Sequence, residues 1–300
     1  MNTSVETQAK LACVYAGAVW GLFWIPLRGL TTAGVHELWT IVIYFFVPAI
    51  VLMPVAAWRW PHLRRGGIDL QVTAAICGLA LTLYAIAIVY TDVVRAMLLF
   101  YLTPIWSAVL ARIVLGEAIT RIRLVSMVVA VTGMLTIFGL GVSFPLPRNA
   151  GDWMGLASGL VWAVATVRLR NDTVHGSLDM TLAYFMWSLG LAVVAAIILA
   201  NPEAPDLSQI TPVLPWLVPV MLVLIIPGAF MSLWGPKFLN PGVVGLLFMS
   251  EIVVGSVSAA LWAGEPFGRR EITGVILIGG ASLLEPLRSI IWKQRKPKVG

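Results

Sequence analysis

Apolar runs of about twenty residues, parted by short polar or basic interruptions, recur along all 300 residues of the chain. They fall at about 11–28, 37–58, 70–90, 94–115, 121–141, 152–170, 179–200, 211–234, 240–263 and 271–292. Each is about long enough to cross a ~30 Å hydrocarbon core as a helix. The pattern predicts an all-α integral membrane protein of ten transmembrane helices. Pro26, Pro48, Pro54, Pro104, Pro215, Pro219 and Pro227 lie inside runs, where membrane helices accept proline because neighbours re-satisfy the freed carbonyls. Short connections predict one compact membrane domain with no linker and no soluble appendage.

Composition agrees with a lipid-facing surface. Charged residues are only 11% of the chain, against about a quarter in a soluble domain. The net charge of +6 does not mark a nucleic-acid partner, and none is expected. Lys and Arg sit in short clusters between apolar runs and at Lys293, Arg295, Lys296 and Lys298, as topology signals do. With the N-terminus in the cytoplasm, Lys10, Arg59, Arg64, Arg65, Arg121, Arg123, Arg168, Arg170, Lys237 and the tail fall inside. The acidic connection with Glu203 and Asp206 falls outside. Both termini are therefore expected in the cytoplasm of a cell bearing the protein in its inner or plasma membrane. The polar start leads into a full-length run, which reads as an uncleaved first span rather than a signal peptide. Cys13 and Cys77 lie inside runs and read as small buried hydrophobes.

The chain also repeats itself. Leu98-Leu99-Phe100 aligns with Leu246-Leu247-Phe248, and in that register Ala111 meets Ala259, Gly116-Glu117 meets Gly264-Glu265, and Arg121 meets Arg269. Earlier, Gly17, Val19, Trp20, Leu27 and Arg28 meet Gly159, Val161, Trp162, Leu169 and Arg170. A loop-length change reconciles the two registers. The chain thus divides into a first five-helix repeat, 1–140, and a second, 151–300. Five is odd, so the second copy enters the membrane upside down. Inverted repeats are an architecture of secondary transporters, with the substrate site at the repeat interface.

Two five-helix halves, each with a fourth helix ending in Gly-Glu before a basic residue, resemble the drug/metabolite transporter (DMT) superfamily, EamA type. The segments carrying this are Tyr101-Leu-Thr-Pro-Ile-Trp-Ser through Gly116-Glu117-Ala-Ile-Thr-Arg121, and Ser250-Glu251 through Gly264-Glu265-Pro-Phe-Gly-Arg269. The resemblance covers essentially the whole chain. Within the superfamily, Tyr101-Leu-x-Pro104 and the aromatic load look like the YddG-type exporters of aromatic amino acids. Ile252 stands where Pro104 stands in the first half, so one helix irregularity fewer is expected in the second. The resemblance implies two inverted bundles around a central cavity, moving small metabolites by alternating access.

Candidate residues follow from charge and aromaticity inside spans. Glu251 sits in an apolar run between Phe248-Met249-Ser250 and Ile252-Val253-Val254. A charge there costs at least a few kcal/mol and should face the bundle interior or water. It binds a substrate ammonium, carries a coupling proton, or is a structural carboxyl bonded to a neighbouring helix. Glu117 and Glu265 oppose the helix dipole at C-termini, with Arg121 and Arg269 four residues on. Each pair is either an interfacial anchor or a gate. Arg95, near an outer helix end, can attract a carboxylate or touch lipid phosphate. Trp20 and Trp162 are equivalent in the two halves, and Tyr84, Tyr101, Trp106 and Trp187 also lie within spans. With Thr103, Phe248 and Ser250 they make up an expected aromatic substrate cavity, although mid-span aromatics also serve helix packing.

Catalytic chemistry finds no purchase. His36, His62 and His175 fall in loops without carboxylates at metal-ligand spacing, and no Walker motif or GxSxG is present. No cofactor, no metal and no enzymatic activity are expected, and ATP-driven transport by this chain alone is excluded. The expected function is a secondary carrier exporting small metabolites, amino acids with aromatic ones favoured, working as a monomer in the bilayer. One rival is a multidrug or other metabolite carrier of the same superfamily. Small cationic-drug antiporters of related type use an acid in the first helix, and 11–27 holds none. The rival of another class, an intramembrane enzyme of lipid metabolism, lacks the clustered His or Asp it would need.

Overall fold

Helices follow one another along the chain, with no strand among the described residues. The computed structural model describes residues 3–91, 93–138, 147–200, 204–264 and 267–294. The helices are α1 (Thr3–Trp20), α2 (Trp24–Thr32), α3 (Glu37–Trp58), α4 (Trp60–Arg65), α5 (Gly67–Tyr90), α6 (Val93–Phe100), α7 (Thr103–Val114) and α8 (Arg121–Phe138). There follow α9 (Ala150–Asn171), α10 (Ser177–Ala200), α11 (Leu207–Ile210), α12 (Leu214–Val220), α13 (Ile226–Trp234), α14 (Pro241–Phe248), α15 (Ser250–Ser258) and α16 (Arg269–Gln294). A π-helical turn, Met221–Ile225, joins α12 to α13 just before Pro227, and another, Ala259–Ala263, extends α15.

Local chemistry sets several ends. Asn149 accepts from the Asp152 backbone N–H at 2.8 Å to start α9, and Asn240 accepts from Gly242 at 2.9 Å ahead of Pro241 at the head of α14. The recurring Gly-Glu pair is explained at its glycine. Gly116 (φ +67) and Gly264 (φ +70) are the left-handed residues that end spans four and nine, a conformation that side chains other than glycine enter at a cost. Past Gly116, the Glu117 N–H reaches back to Ala111 O at 3.2 Å.

Seven helical stretches among the described residues are long and apolar enough to cross a bilayer: Ser4–Thr32, Glu37–Trp58, Gly67–Ile88, Ala96–Val114, Ser177–Leu199, Leu214–Lys237 and Pro241–Trp262. Their outward side chains are apolar, Ile198 at 71%, Val223 at 66% and Leu261 at 71% exposure among them, a surface suited to hydrocarbon rather than water. The chain is a multi-pass membrane protein. The three other predicted spans coincide with α8, α9 and α16. Helix α9 is long enough but less apolar, because it is enclosed by α5, α6, α7 and α14 and need not match lipid. It buries Asp152, Ser158 and Thr166 instead. Helices α8 and α16 border residues outside the described set.

The packing pairs helices in a regular way. Helix α3 lies on α10, α7 on α14, and α8 on α16. Helix α1 lies on α13, α14 and α15, just as α9 lies on α5, α6 and α7. Two of these approaches need a glycine. A Cβ on Gly17 would stand 2.8 Å from Phe248 O, and one on Gly159 would stand 2.6 Å from Phe100 O. The two carbonyls occupy one register position in the repeat, each at the end of the first segment of an interrupted span.

Those interruptions correct one expectation. Span four breaks at Tyr101-Leu102 between α6 and α7, and span nine breaks at Met249 between α14 and α15. The absence of proline at Ile252 does not remove the irregularity. Met249 N–H turns back to Leu246 O at 3.3 Å and Ile252 N–H to Met249 O at 3.0 Å, the tighter bonding of a 3₁₀ turn. Close approach of α1, rather than ring sterics, accompanies the break.

Candidate functional site

The breaks in spans four and nine face a common cavity. Its walls come from α1 (Trp20) and the turn after it (Phe23), α5 (Leu81, Tyr84), span four (Phe100, Tyr101, Thr103, Pro104), α9 (Trp162), α10 (Tyr184) and span nine (Gly245, Phe248, Glu251). Atom-free space at the site totals about 630 Å³, including space open to the outside, but only about 40 Å³ is open to the centre of a water molecule. At about 10–15 Å³ per water, this arrangement holds a few waters and not yet an organic solute. Rings pack along the walls: Tyr84 on Phe100 with centroids 4.5 Å apart, Phe100 on Tyr101 at 5.3 Å, and Trp162 on Phe248 at 6.0 Å. The last pair joins α9 to span nine.

Glu251 is the acid in this aromatic enclosure, only 8% exposed. The sequence suggests a mid-helix position, but the break makes Glu251 the second residue of α15. A carboxylate in the first turn of a helix is favoured by the unpaired N–H groups there. The hydroxyls of Tyr84 and Tyr101 face it. Tyr101 Oη and Tyr184 Oη are both buried. In the repeat register, Thr103 is the counterpart of Glu251. Its hydroxyl donates to Phe100 O and lies 3.3 Å from Gly159 O.

Of the ten residues expected in the cavity, seven line it: Trp20, Tyr84, Tyr101, Thr103, Trp162, Phe248 and Glu251. Three do not. Trp187 is 41% exposed on the outer face of α10 and donates to Gln71 Oε1 at 2.8 Å. Trp106 lies beyond the walls on α7, its Nε1 buried without a partner. Ser250 turns away to donate to Val14 O at 2.9 Å, stitching span nine to α1. Phe23, Leu81, Phe100, Pro104, Tyr184 and Gly245 line the cavity without having been anticipated. Phe100 was marked in the sequence by its match to Phe248.

The expected pairing of Glu117 with Arg121 is replaced by another. Glu117 Oε1 meets Arg170 Nε at 3.4 Å, while Arg170 also donates to Lys237 O at 2.9 Å. Arg121 lies exposed at the start of α8. Glu265 lies outside the described residues, so its pair with Arg269 does too, as does the side chain of Arg95. The Glu117–Arg170 contact belongs to a wider polar cluster on one end of the molecule. Lys237 Nζ lies 3.3 Å from Asp172 Oδ2 and 2.6 Å from His175 O. His175 Nδ1 lies 3.0 Å from Asp172, and Nε2 3.1 Å from Gly66 O. Arg59 donates twice to Asp179, at 2.9 and 2.7 Å. Burial alone would push Asp172 up, but the backbone N–H groups of His175 and Val174 together with Lys237 hold its carboxyl below the usual range.

Fold and site together define a multi-pass membrane protein with an aromatic, acid-bearing cavity at the meeting point of its spans. Residues 8–139 match the EamA-like transporter family. The chain is similar to an uncharacterized transporter of Clostridium kluyveri, 26% identical over 259 residues, covering 79% of each protein. It is also similar to the chloramphenicol-sensitive protein RarD of Pseudomonas aeruginosa, 26% identical over 258 residues, covering 81% of this chain and 79% of that one. A solved crystal structure shares the fold with a TM-score of 0.71 at 15% identity, over 96% of this chain and 99% of the other. The EamA-like match covers residues 8–139 and the Clostridium kluyveri relative is named as a transporter, neither of which favours the lipid-enzyme reading.

Proposed function

We propose that the chain is a secondary carrier that binds a small solute between two inverted five-helix halves and moves it by alternating access. The favoured solute has a flat apolar body and an amino group, aromatic amino acids among them, and is exported across a cell membrane with both termini cytoplasmic. The observation that carries this reading is the aromatic cavity itself. Trp20 and Trp162, equivalent in the sequence repeat, line it from different helices, and Glu251 is the acid among its described lining residues. Ten spans in two inverted halves are supported by the pairing of α3 with α10, α7 with α14 and α8 with α16, and by the matched positions of α1 and α9. With so little space between the walls, binding of an organic solute requires them to part.

A second reading, a carrier of drug-like aromatic compounds, is favoured by similarity to a chloramphenicol-sensitive protein. Counterflow into proteoliposomes separates the two. Vesicles preloaded with unlabelled solute are offered labelled Phe, Thr, Lys or a quaternary aromatic cation. Accumulation of Phe above Thr and Lys is expected. Accumulation of the quaternary cation alone would favour the drug carrier, and no counterflow of any solute would sink the carrier reading.

A further inference from the structure

The cavity is electrostatically one-sided. Glu251 is the acid lining it, and among the described residues no Lys, Arg or His does. Its carboxyl is buried, and the groups facing it are the hydroxyls of Tyr84 on α5 and Tyr101 in the span-four break. Thr103, in the equivalent position of the other half, offers a hydroxyl already directed at backbone oxygens. The two halves therefore present a carboxyl and a spent hydroxyl at matched sites. A carboxyl in apolar surroundings is either neutralised by a proton or paired with a cation, and the walls supply no cation. A cation that pairs with it therefore enters with the solute. Trp20, Phe100, Trp162 and Phe248 line the same cavity as the acid, and aromatic rings attract cations through their quadrupoles.

We propose that the cavity recognises its solute through an ammonium group paired with Glu251, and selects against a carboxylate on the same solute. A zwitterionic amino acid would bring a second negative charge beside Glu251, with tyrosine hydroxyls but no positive group to receive it. Arylalkyl amines and the amides or esters of aromatic amino acids are thus the preferred class, and free aromatic amino acids are weaker members of it. This rests on the cavity being the solute site.

The test is equilibrium binding of radiolabelled phenethylamine to the purified protein in detergent, with competition by phenylalaninamide, phenylalanine and 3-phenylpropionate. These four share a ring and differ in charge. Phenethylamine and phenylalaninamide should bind at least about tenfold more tightly than phenylalanine, a modest discrimination for one charge contact, and 3-phenylpropionate should not compete. Glu251→Gln should lose the preference for amines, and Glu251→Asp should keep it at reduced affinity. If Glu251→Gln does not elute as a folded monodisperse species, the wild-type ranking and Glu251→Asp decide. Phenylalanine binding as well as its amide, a folded Glu251→Gln that still prefers amines, or no binding of either amine would each overturn the proposal. Counterflow of the same amines in proteoliposomes is read separately: binding without counterflow would fault the carrier reading and leave the recognition chemistry standing.

Discussion

The residues that shape the site differ in how far the sequence discloses them. Glu251 is conspicuous because a charge inside an apolar run has to be answered for, and Trp20 and Trp162 because they repeat. Phe23, Leu81 and Tyr184 are not conspicuous. In a helix that is apolar all round, periodicity cannot tell the face toward a cavity from the face toward lipid, and the misplaced Trp187 fails for the same reason. The hydroxyl of Tyr101, which faces Glu251, leads to a prediction at this scale. If it serves the solute and not the fold, Tyr101→Phe should melt within about 1 kcal/mol of wild type, the usual net worth of one hydroxyl contact such as that to Glu251. Its counterflow should nevertheless fall several-fold. A markedly destabilised variant with unchanged transport per folded molecule would make Tyr101 structural. Gly17 offers the opposite expectation. Gly17→Ala drives a methyl against Phe248 O and should cost about 1–3 kcal/mol through overpacking. Gly190→Ala, with open space at its Cβ, should be neutral or slightly stabilising. Equal melting of the two variants would refute the close-approach account.

At the scale of elements, the interrupted spans carry the most information. Pro104 announces the break in span four, and nothing of the kind announces the one in span nine. Both breaks lie where a glycine of α1 or α9 lets a helix press against the Phe100 or Phe248 carbonyl. The cause is tertiary, which is why the sequence shows it only as two glycines in register. The break matters for function because it turns Glu251 into a first-turn residue of α15 and Thr103 into the first residue of α7. Since span nine breaks without proline, span four should as well. In Pro104→Ala, amide hydrogen exchange over residues 101–105 should remain faster than in the interior of α7, with stability changed by less than about 1.5 kcal/mol. Protection rising to the level of the helix interior would show that the ring alone holds the break open.

Across the whole molecule, the sequence repeat is legible where it leaves identical residues in one register, and illegible where packing relaxes the need for apolarity. Helix α9 shows the second case: its enclosure by four neighbours permits Asp152 and Thr166 inside a span, so hydropathy alone undervalues it. The polar cluster joining Glu117, Arg170, Asp172, His175 and Lys237 lies at the end predicted to face the cytoplasm. It ties the end of span four to α9, to the α9–α10 connection and to the segment after α13. In an alternating-access cycle these contacts have to part when that face opens, so they should stabilise the closed form without being needed for binding. Asp172 is its hub, and the direction of its shift fixes the pH window. Its carboxyl is held below the ordinary value in the folded protein. Its stabilising contribution is therefore fully present above the unfolded carboxylate value of about 3.9 and is lost as pH falls through the lower folded value. Thermal melts of wild type and Asp172→Asn in detergent should differ by a constant gap between about pH 5 and pH 8, and the gap should close below about pH 4. A gap that persists undiminished into strong acid, or that is absent at neutral pH, would mean that Asp172 contributes through shape rather than charge, and the cluster would then be no electrostatic latch.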